Sequence, residues 1–408
     1  MKRVDVGIIG CGTAGAAAAL FLCRAGHRVT VYEAVPEPSA VGAGIMLQPT
    51  GMRVLETLGL LEPVLTRGNR VDRLHCLTRE GKDVIDLRYA DVHDGAYGLG
   101  LHRGVLFEVL FAQVNGEAID LRLGEPIEGL RTRAGKRVVI GRHGLEIGAH
   151  DLVVVADGAR SQPRRGMRVM QRAKQYPWGA LWFIGDDYAG DFEGTLYQKV
   201  DGAEQMMGLL PSGFGPEGTT PQVSLFWSIR ADRVQPWRDA GLEPWLAQLA
   251  ELEPRAEPVL EQITDPEQVL FARYWDVVLH PWHAPGLVFV GDAAHATSPQ
   301  LGQGANLALV DAMALAEAMA ASDSLKVALR RYSDARRSHL RYYQWATRFL
   351  TPFFQSNSRS LGWLRDTFMG RACKWPFVRS KMVRTMCGLE RGILYADPLP
   401  MPEAFGPG

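Results

Sequence analysis

Cysteine is scarce in this chain, with five in 408 residues, at Cys11, Cys23, Cys76, Cys373 and Cys387. The number is odd, the positions are scattered and no C-x-x-C occurs. A disulfide framework and a zinc cluster are therefore not expected, no metal site is foreseen, and a reducing compartment, the cytoplasm, is favoured. Net charge is missing as well, because 45 basic side chains balance 45 acidic ones. A neutral total carries no electrostatic signature of a nucleic-acid partner. Beyond the opening stretch no run of about 18 residues is both apolar and free of charge, which argues against a spanning helix. Internal repeats and low-complexity segments are also lacking. What is present is apolar bulk, 47% of the residues, enough for a large core and two or three domains.

The opening stretch, MKRVDVGIIGCGTAGAAAALFLCRAG, has two readings. Basic residues before an apolar run outline a secretory signal peptide. They also outline a strand (Val4 to Gly10), a glycine turn and a helix (Ala14 to His27), followed by a second strand (Arg28 to Ala34). The turn is Gly10-Cys11-Gly12-Thr13-Ala14-Gly15, a G-x-G-x-x-G. Gly10 suits the tight turn, Gly12 lets a pyrophosphate approach the backbone, and Gly15 lets helix and strand pack closely. The helix N-terminus then offers free N–H groups to phosphate. Glu33 stands 18 residues past Gly15, where a carboxylate accepts from ribose hydroxyls. A carboxylate there favours FAD or NAD over NADP. Cleavage near Ala19 would remove the phosphate loop, so export is not the expected reading. A second match, Gly213 to Gly218, is followed by a strand-like run and reads as a hairpin loop.

Two distant segments extend the pattern. DLVVVADGARSQPRR (Asp151 to Arg165) is an apolar strand ending in Asp157-Gly158, then a turn with Arg160, Ser161 and Arg164. PGLVFVGDAAHATSPQLGQGANLALVDAMALAEAM (Pro285 to Met319) is a strand ending in Gly291-Asp292, then a loop, Gly302-Gln303-Gly304-Ala305-Asn306, that opens an Ala/Leu helix. With these three motifs in this order the chain resembles the class A flavoprotein monooxygenases, the para-hydroxybenzoate hydroxylase-like group. The resemblance implies a Rossmann-type α/β FAD-binding domain, an antiparallel-sheet substrate domain and a C-terminal helical region. It implies FAD contacts at Gly10, Gly12, Thr13, Ala14, Gly15, Glu33, Gly44, Arg103, Asp157, Asp292, Gly302, Gly304, Ala305 and Asn306. Asp292 would meet the ribityl chain, and the 302–306 helix start would face the flavin ring, where its N–H groups favour negative charge. His295 reads as structural. Ser161 and Arg164 either join the site or only fix their turn. Pro163 stands where the family usually has an aliphatic residue, and VPEPSAVGAG lacks a frequent family arginine, so reductant preference does not carry over.

No second glycine loop follows a strand and opens a helix, so no separate nicotinamide domain is expected. The family docks NADH or NADPH transiently, and O2 then gives a C4a-hydroperoxyflavin that hydroxylates an electron-rich carbon. The implied function is hydroxylation of an aromatic or polycyclic small molecule. The alternatives are a reductase or oxidase acting on a hydrophobic, isoprenoid-like substrate, and a non-catalytic flavin-binding module. No side chain reads as a catalytic base. The expected domains are 1–72, 98–175 and 271–338 for FAD, 73–97 and 176–270 for substrate, and a helical 339–408. Substrate contacts are expected from Gln48, Trp182, Met206, Leu209, Trp227 and Pro299. From Arg330 to Arg391 there are 14 basic against three acidic residues, with interleaved aromatics, and Pro352 and Pro376 read as helix breakers. That region reads as a helical cap with solvent-facing arginines, a peripheral membrane contact or a dimer face, in a monomer or homodimer.

Overall fold

A computed structural model of the chain describes residues 1–40, 42–167, 169–216, 218–392 and 398–406. Its first layer grows from the opening stretch. Asp5–Ile9 is a strand because Val6, Ile8 and Ile9 are branched and buried. It lies at the centre of a six-stranded sheet. The order is His283–Ala284, Leu287–Phe289, Leu152–Val155, Asp5–Ile9, Arg28–Tyr32 and Ile119–Arg122. All neighbours are parallel except the first pair. Leu152, Val153, Val154 and Val155 are wholly buried, as both faces of a parallel sheet are covered. Each such side chain contributes roughly 1.5–3 kcal/mol relative to exposure. The helices Thr13–Arg24 and Gly304–Ala320 pack on each other beside this sheet. Their alanines permit that close approach.

The second layer is a nine-stranded, mostly antiparallel sheet. Its order is Leu270–His280, Met170–Asp186, Pro221–Arg230, Gln205–Phe214, Gly194–Asp201, Asn69–Thr78, Gly98–His102 and Gly44–Leu47, with Asp83–Arg88 paired to Asn69–Thr78. It takes strands from both stretches that flank the sequence-expected domain boundaries. The segment 194–213 forms two strands joined at 202–204. Gly213 closes the second of them, and the next strand returns antiparallel, so the second glycine match is a hairpin loop, of which Glu217 lies outside the described residues.

The C-terminal region is helical: Leu325–Phe354, Arg359–Ala372 and Pro376–Met386. The expected break at Pro352 is corrected, since this proline lies inside the first helix, in its last turn. Pro376 starts the third helix, at its first position, where the missing N–H has no intrahelical partner to lose. Arg336 and Arg365 correct the expected solvent-facing arginines of this region, for both are buried.

Candidate functional site

The glycine loop leaves the carboxyl end of Asp5–Ile9, and its three glycines do different work. Gly10 has φ of +94°, and a Cβ there would lie 2.7 Å from the Ala156 carbonyl oxygen. A Cβ on Gly15 would lie 1.9 Å from the Gly10 oxygen. A Cβ on Gly12 would meet nothing within 4 Å, so the loop is open at that point. Thr13 and Ala14 begin the helix, whose first-turn N–H groups have no side-chain cap. Glu33 closes the loop from below. Its Oε2 accepts from the Cys11 N–H at 2.8 Å and its Oε1 from the Val35 N–H at 2.9 Å.

Two more turns emerge at the same sheet edge, because Leu152–Val155 and Leu287–Phe289 run parallel to the first strand. Asp157 follows the first of them. Its Oδ2 accepts from the Gln162 N–H at 3.2 Å, while its buried Oδ1 has no partner. Burial pushes its carboxyl above the usual aspartate value, against opposing hydrogen bonds. Arg164 joins the two turns, donating to the carbonyls of Ala293 at 2.7 Å and Ala159 at 2.6 Å. Asp292 is exposed at the start of a short helix, after Gly291 at φ +58°.

The Gly302–Asn306 loop completes the edge. Gly302 is left-handed, and a Cβ on Gly304 would meet nothing within 4 Å. Ala305 follows in the first turn of the helix. The Asn306 side chain is turned to the protein. Its Oδ1 accepts from the Gln48 N–H at 2.8 Å, and its Nδ2 donates to the carbonyls of Met46 and Gly302 at 3.0 and 3.1 Å. The amide is spent on holding strand and loop together. Gly44 is buried in the sheet, where a Cβ would lie 2.3 Å from Ser224 Oγ, so its smallness serves packing. Arg103 is exposed at the first position of the helix Arg103–Gly116, with its stem beside Gly42.

Among the expected substrate contacts, Gln48 is buried, and its Oε1 accepts from Tyr89 Oη at 2.6 Å. Pro299 is exposed and opens a turn next to the Gly302 loop. Trp182 donates from Nε1 to Tyr274 Oη at 3.2 Å and stands 5.1 Å from the Phe226 ring. Leu209 and Trp227 are corrected. They lie on the other face of the sheet, packed with Trp245 and Leu249, because side chains alternate across a strand. Met206 is corrected too, packed in a separate cluster with Cys76, Val84, Val200 and Phe354 under the C-terminal helices.

Sequence reasoning missed the buried frame behind the loops. Asp311 Oδ2 accepts from His295 Nε2 at 2.6 Å and from the Gly291 N–H at 2.8 Å, and its Oδ1 accepts from Arg336 Nε at 2.7 Å. Burial alone would raise this carboxyl, yet His295, Arg336 and the Gly291 N–H hold it well below the usual carboxylate range. Arg336 also donates to His339 Nδ1 at 2.5 Å, and His339 Nε2 donates to the Gly388 carbonyl at 2.8 Å. Gln303 donates to the carbonyls of Thr385 and Met386. The signal was Asp311, an acid set among the apolar and mostly buried residues Leu307 to Leu315 of this helix. Among the described residues no cluster of three or more His, Cys, Asp or Glu side chains is placed to hold a metal ion.

Known proteins match this arrangement along most of its length. A family model described as an FAD binding domain covers residues 3–342. Aurachin C monooxygenase/isomerase of Stigmatella aurantiaca is 28% identical over 81% of this chain and 84% of its own. Kynurenine 3-monooxygenase of Salinispora arenicola is 28% identical over 83% of this chain and 77% of its own. A solved structure of Klebsiella pneumoniae HpxO, complexed with FAD and uric acid, superposes with a TM-score of 0.79 at 21% identity, over 94% of this chain and 97% of that one.

Proposed function

The chain belongs to the FAD-binding-domain family of flavoprotein monooxygenases, and from that premise we propose that it hydroxylates an aromatic or polycyclic small molecule with NADH or NADPH and O2. One oxygen atom enters the new C–O bond, and the other leaves as water with the two electrons of the nicotinamide.

The single observation that carries this reading is the convergence of three turns on one sheet edge, with open space at Gly12 and Gly304 and an unpartnered buried oxygen on Asp157. These features fit FAD. The first turn of Thr13–Arg24 would hold its pyrophosphate, Glu33 the adenosine ribose, and Asp292 the ribityl chain. The N–H groups at Gly304 and Ala305 would face the ring. Bound there, FAD supplies the redox centre that takes a hydride and activates O2.

The chain's own task is placement and dryness. Gln48, held by Tyr89 and Asn306, and Pro299 border the space beside the Gly302 loop. Burial keeps the Tyr89 hydroxyl well above the usual tyrosine value, so it stays a neutral donor. Trp182 and Tyr274 give the sheet an aromatic surface that excludes water and suits a flat ring.

The test is direct. The purified protein shows a flavin absorbance spectrum, and one of a panel of phenols, quinolones and indoles raises its rate of NADH or NADPH oxidation. With 18O-labelled O2, one labelled atom appears in the organic product. A flavin-loaded protein that reduces a substrate without incorporating label would instead be a reductase.

A further inference from the structure

The helices Arg359–Ala372 and Pro376–Met386 follow one another across a short turn, as a helical hairpin only in the sense of their connection, and expose aromatic rings. On the inner side of the first helix, Gly362 lies against the Gly202–Ala203 backbone, and buried Arg365 donates to the carbonyls of Phe353 and Gly202. On the opposite side of the first helix, Trp363, Leu364 and Phe368 are 64%, 39% and 50% exposed. The Trp363 and Phe368 rings meet edge-on at 6.1 Å. Trp375 in the turn and Phe377 in the first turn of the second helix add to these, 68% and 62% exposed. A surface helix normally faces such residues toward the core, and so many exposed rings in one short stretch mark a contact surface.

Cations frame the patch. Arg359, Arg371, Lys374 and Arg384 are exposed. Between residues 359 and 384 there are seven Arg/Lys and a single acid, Asp366. That acid is already paired with Arg365. The frame decides the occupant. A second copy docking here about a two-fold axis would set cation against cation. A bilayer carrying anionic headgroups meets both needs at once. Indole and phenyl rings enter the headgroup–acyl boundary, and Arg and Lys pair with phosphate. No helix among the described residues is long and apolar enough to cross a membrane, so the contact would be peripheral.

We propose that this hairpin docks the protein on membranes rich in anionic phospholipid. The flavin-loaded full chain is sedimented with vesicles of phosphatidylcholine alone or mixed with phosphatidylglycerol. Binding is expected to the mixed vesicles at low salt, to weaken as salt rises, and to be small on phosphatidylcholine. Trp375→Ala and Phe377→Ala each weaken it by roughly tenfold or more. Arg371→Gln and Lys374→Gln each weaken it by roughly fivefold. All four variants keep the flavin spectrum and the membrane-free turnover, since none of these side chains belongs to the loops of the site. Absence of binding to the anionic vesicles at low salt overturns the proposal. So does unchanged binding of all four variants, or a homodimer that Trp375→Ala dissolves while vesicles are ignored.

Discussion

Gly12 and Gly15 are indistinguishable as letters and opposite as positions. Gly15 has no room for a Cβ, whereas Gly12 has open space and φ of −74°, which alanine adopts freely. Gly15→Ala therefore costs about 1–3 kcal/mol of folding stability through overpacking. Gly12→Ala leaves the stability of the flavin-free protein within about 0.5 kcal/mol. It lowers FAD affinity, because its methyl occupies the space the pyrophosphate needs. Chemical denaturation of the flavin-free proteins, beside flavin titrations, separates the two effects. Equal stability losses would show that Gly12 is a packing position. At this scale the glycine loop and Glu33 were legible in the sequence because each depends on local backbone geometry. The anchoring role of the Asn306 amide was not, because its partners, Met46 and Gln48, lie about 260 residues away.

Between elements, Asp311 is the joint. It ties the Gly304–Ala320 helix to the Gly291 turn through its oxygens, and to the Leu325–Phe354 helix through Arg336. The chain then runs through His339 to Gly388, which packs against Thr50 at the start of another helix. Asp311→Asn leaves the Arg336 cation buried without its counter-charge and costs about 3–5 kcal/mol. Adding Arg336→Met recovers part of that loss, as a buried ion pair is replaced by apolar volume. Thermal unfolding of the two variants measures it, and equal melting temperatures for single and double variants would refute the coupling. The basic run from Arg330 hid this role. In sequence its arginines look alike, yet Arg336 is buried on an ion pair while Arg371 is exposed. Only packing distinguishes them.

For the whole molecule, acid is the expected weakness. Burial holds His339 well below the usual histidine value, and it lowers His27, His102 and His283 as well. In the unfolded chain these rings take up protons near pH 6.5, while in the folded protein they do so only at lower pH, His339 lowest of all. Stability is therefore full above about pH 6.5 and falls as pH drops below it, by up to ~1.4 kcal/mol per pH unit through His339 and by less through the other three. His339→Gln, which keeps an acceptor for Arg336 and a donor for Gly388, flattens that decline. Unfolding midpoints between pH 7 and 5 report it, and an unchanged slope would remove His339 from the account.

By itself the sequence determined the architecture of the nucleotide edge: strand, glycine turn, helix, and two later strand ends carrying Asp157 and Asp292. Those features follow from backbone conformation and side-chain size, which neighbours in the chain dictate. Tertiary structure alone decided which face each sheet residue shows. It sent Leu209 and Trp227 into a helix-backed core and left Trp182 beside Tyr274. It also buried Arg336 and Arg365 while turning Trp363 and Trp375 outward. The reason is physical. Burial is settled by surfaces that meet from distant parts of the chain, and strand alternation says only that neighbours differ, not which of them faces the site.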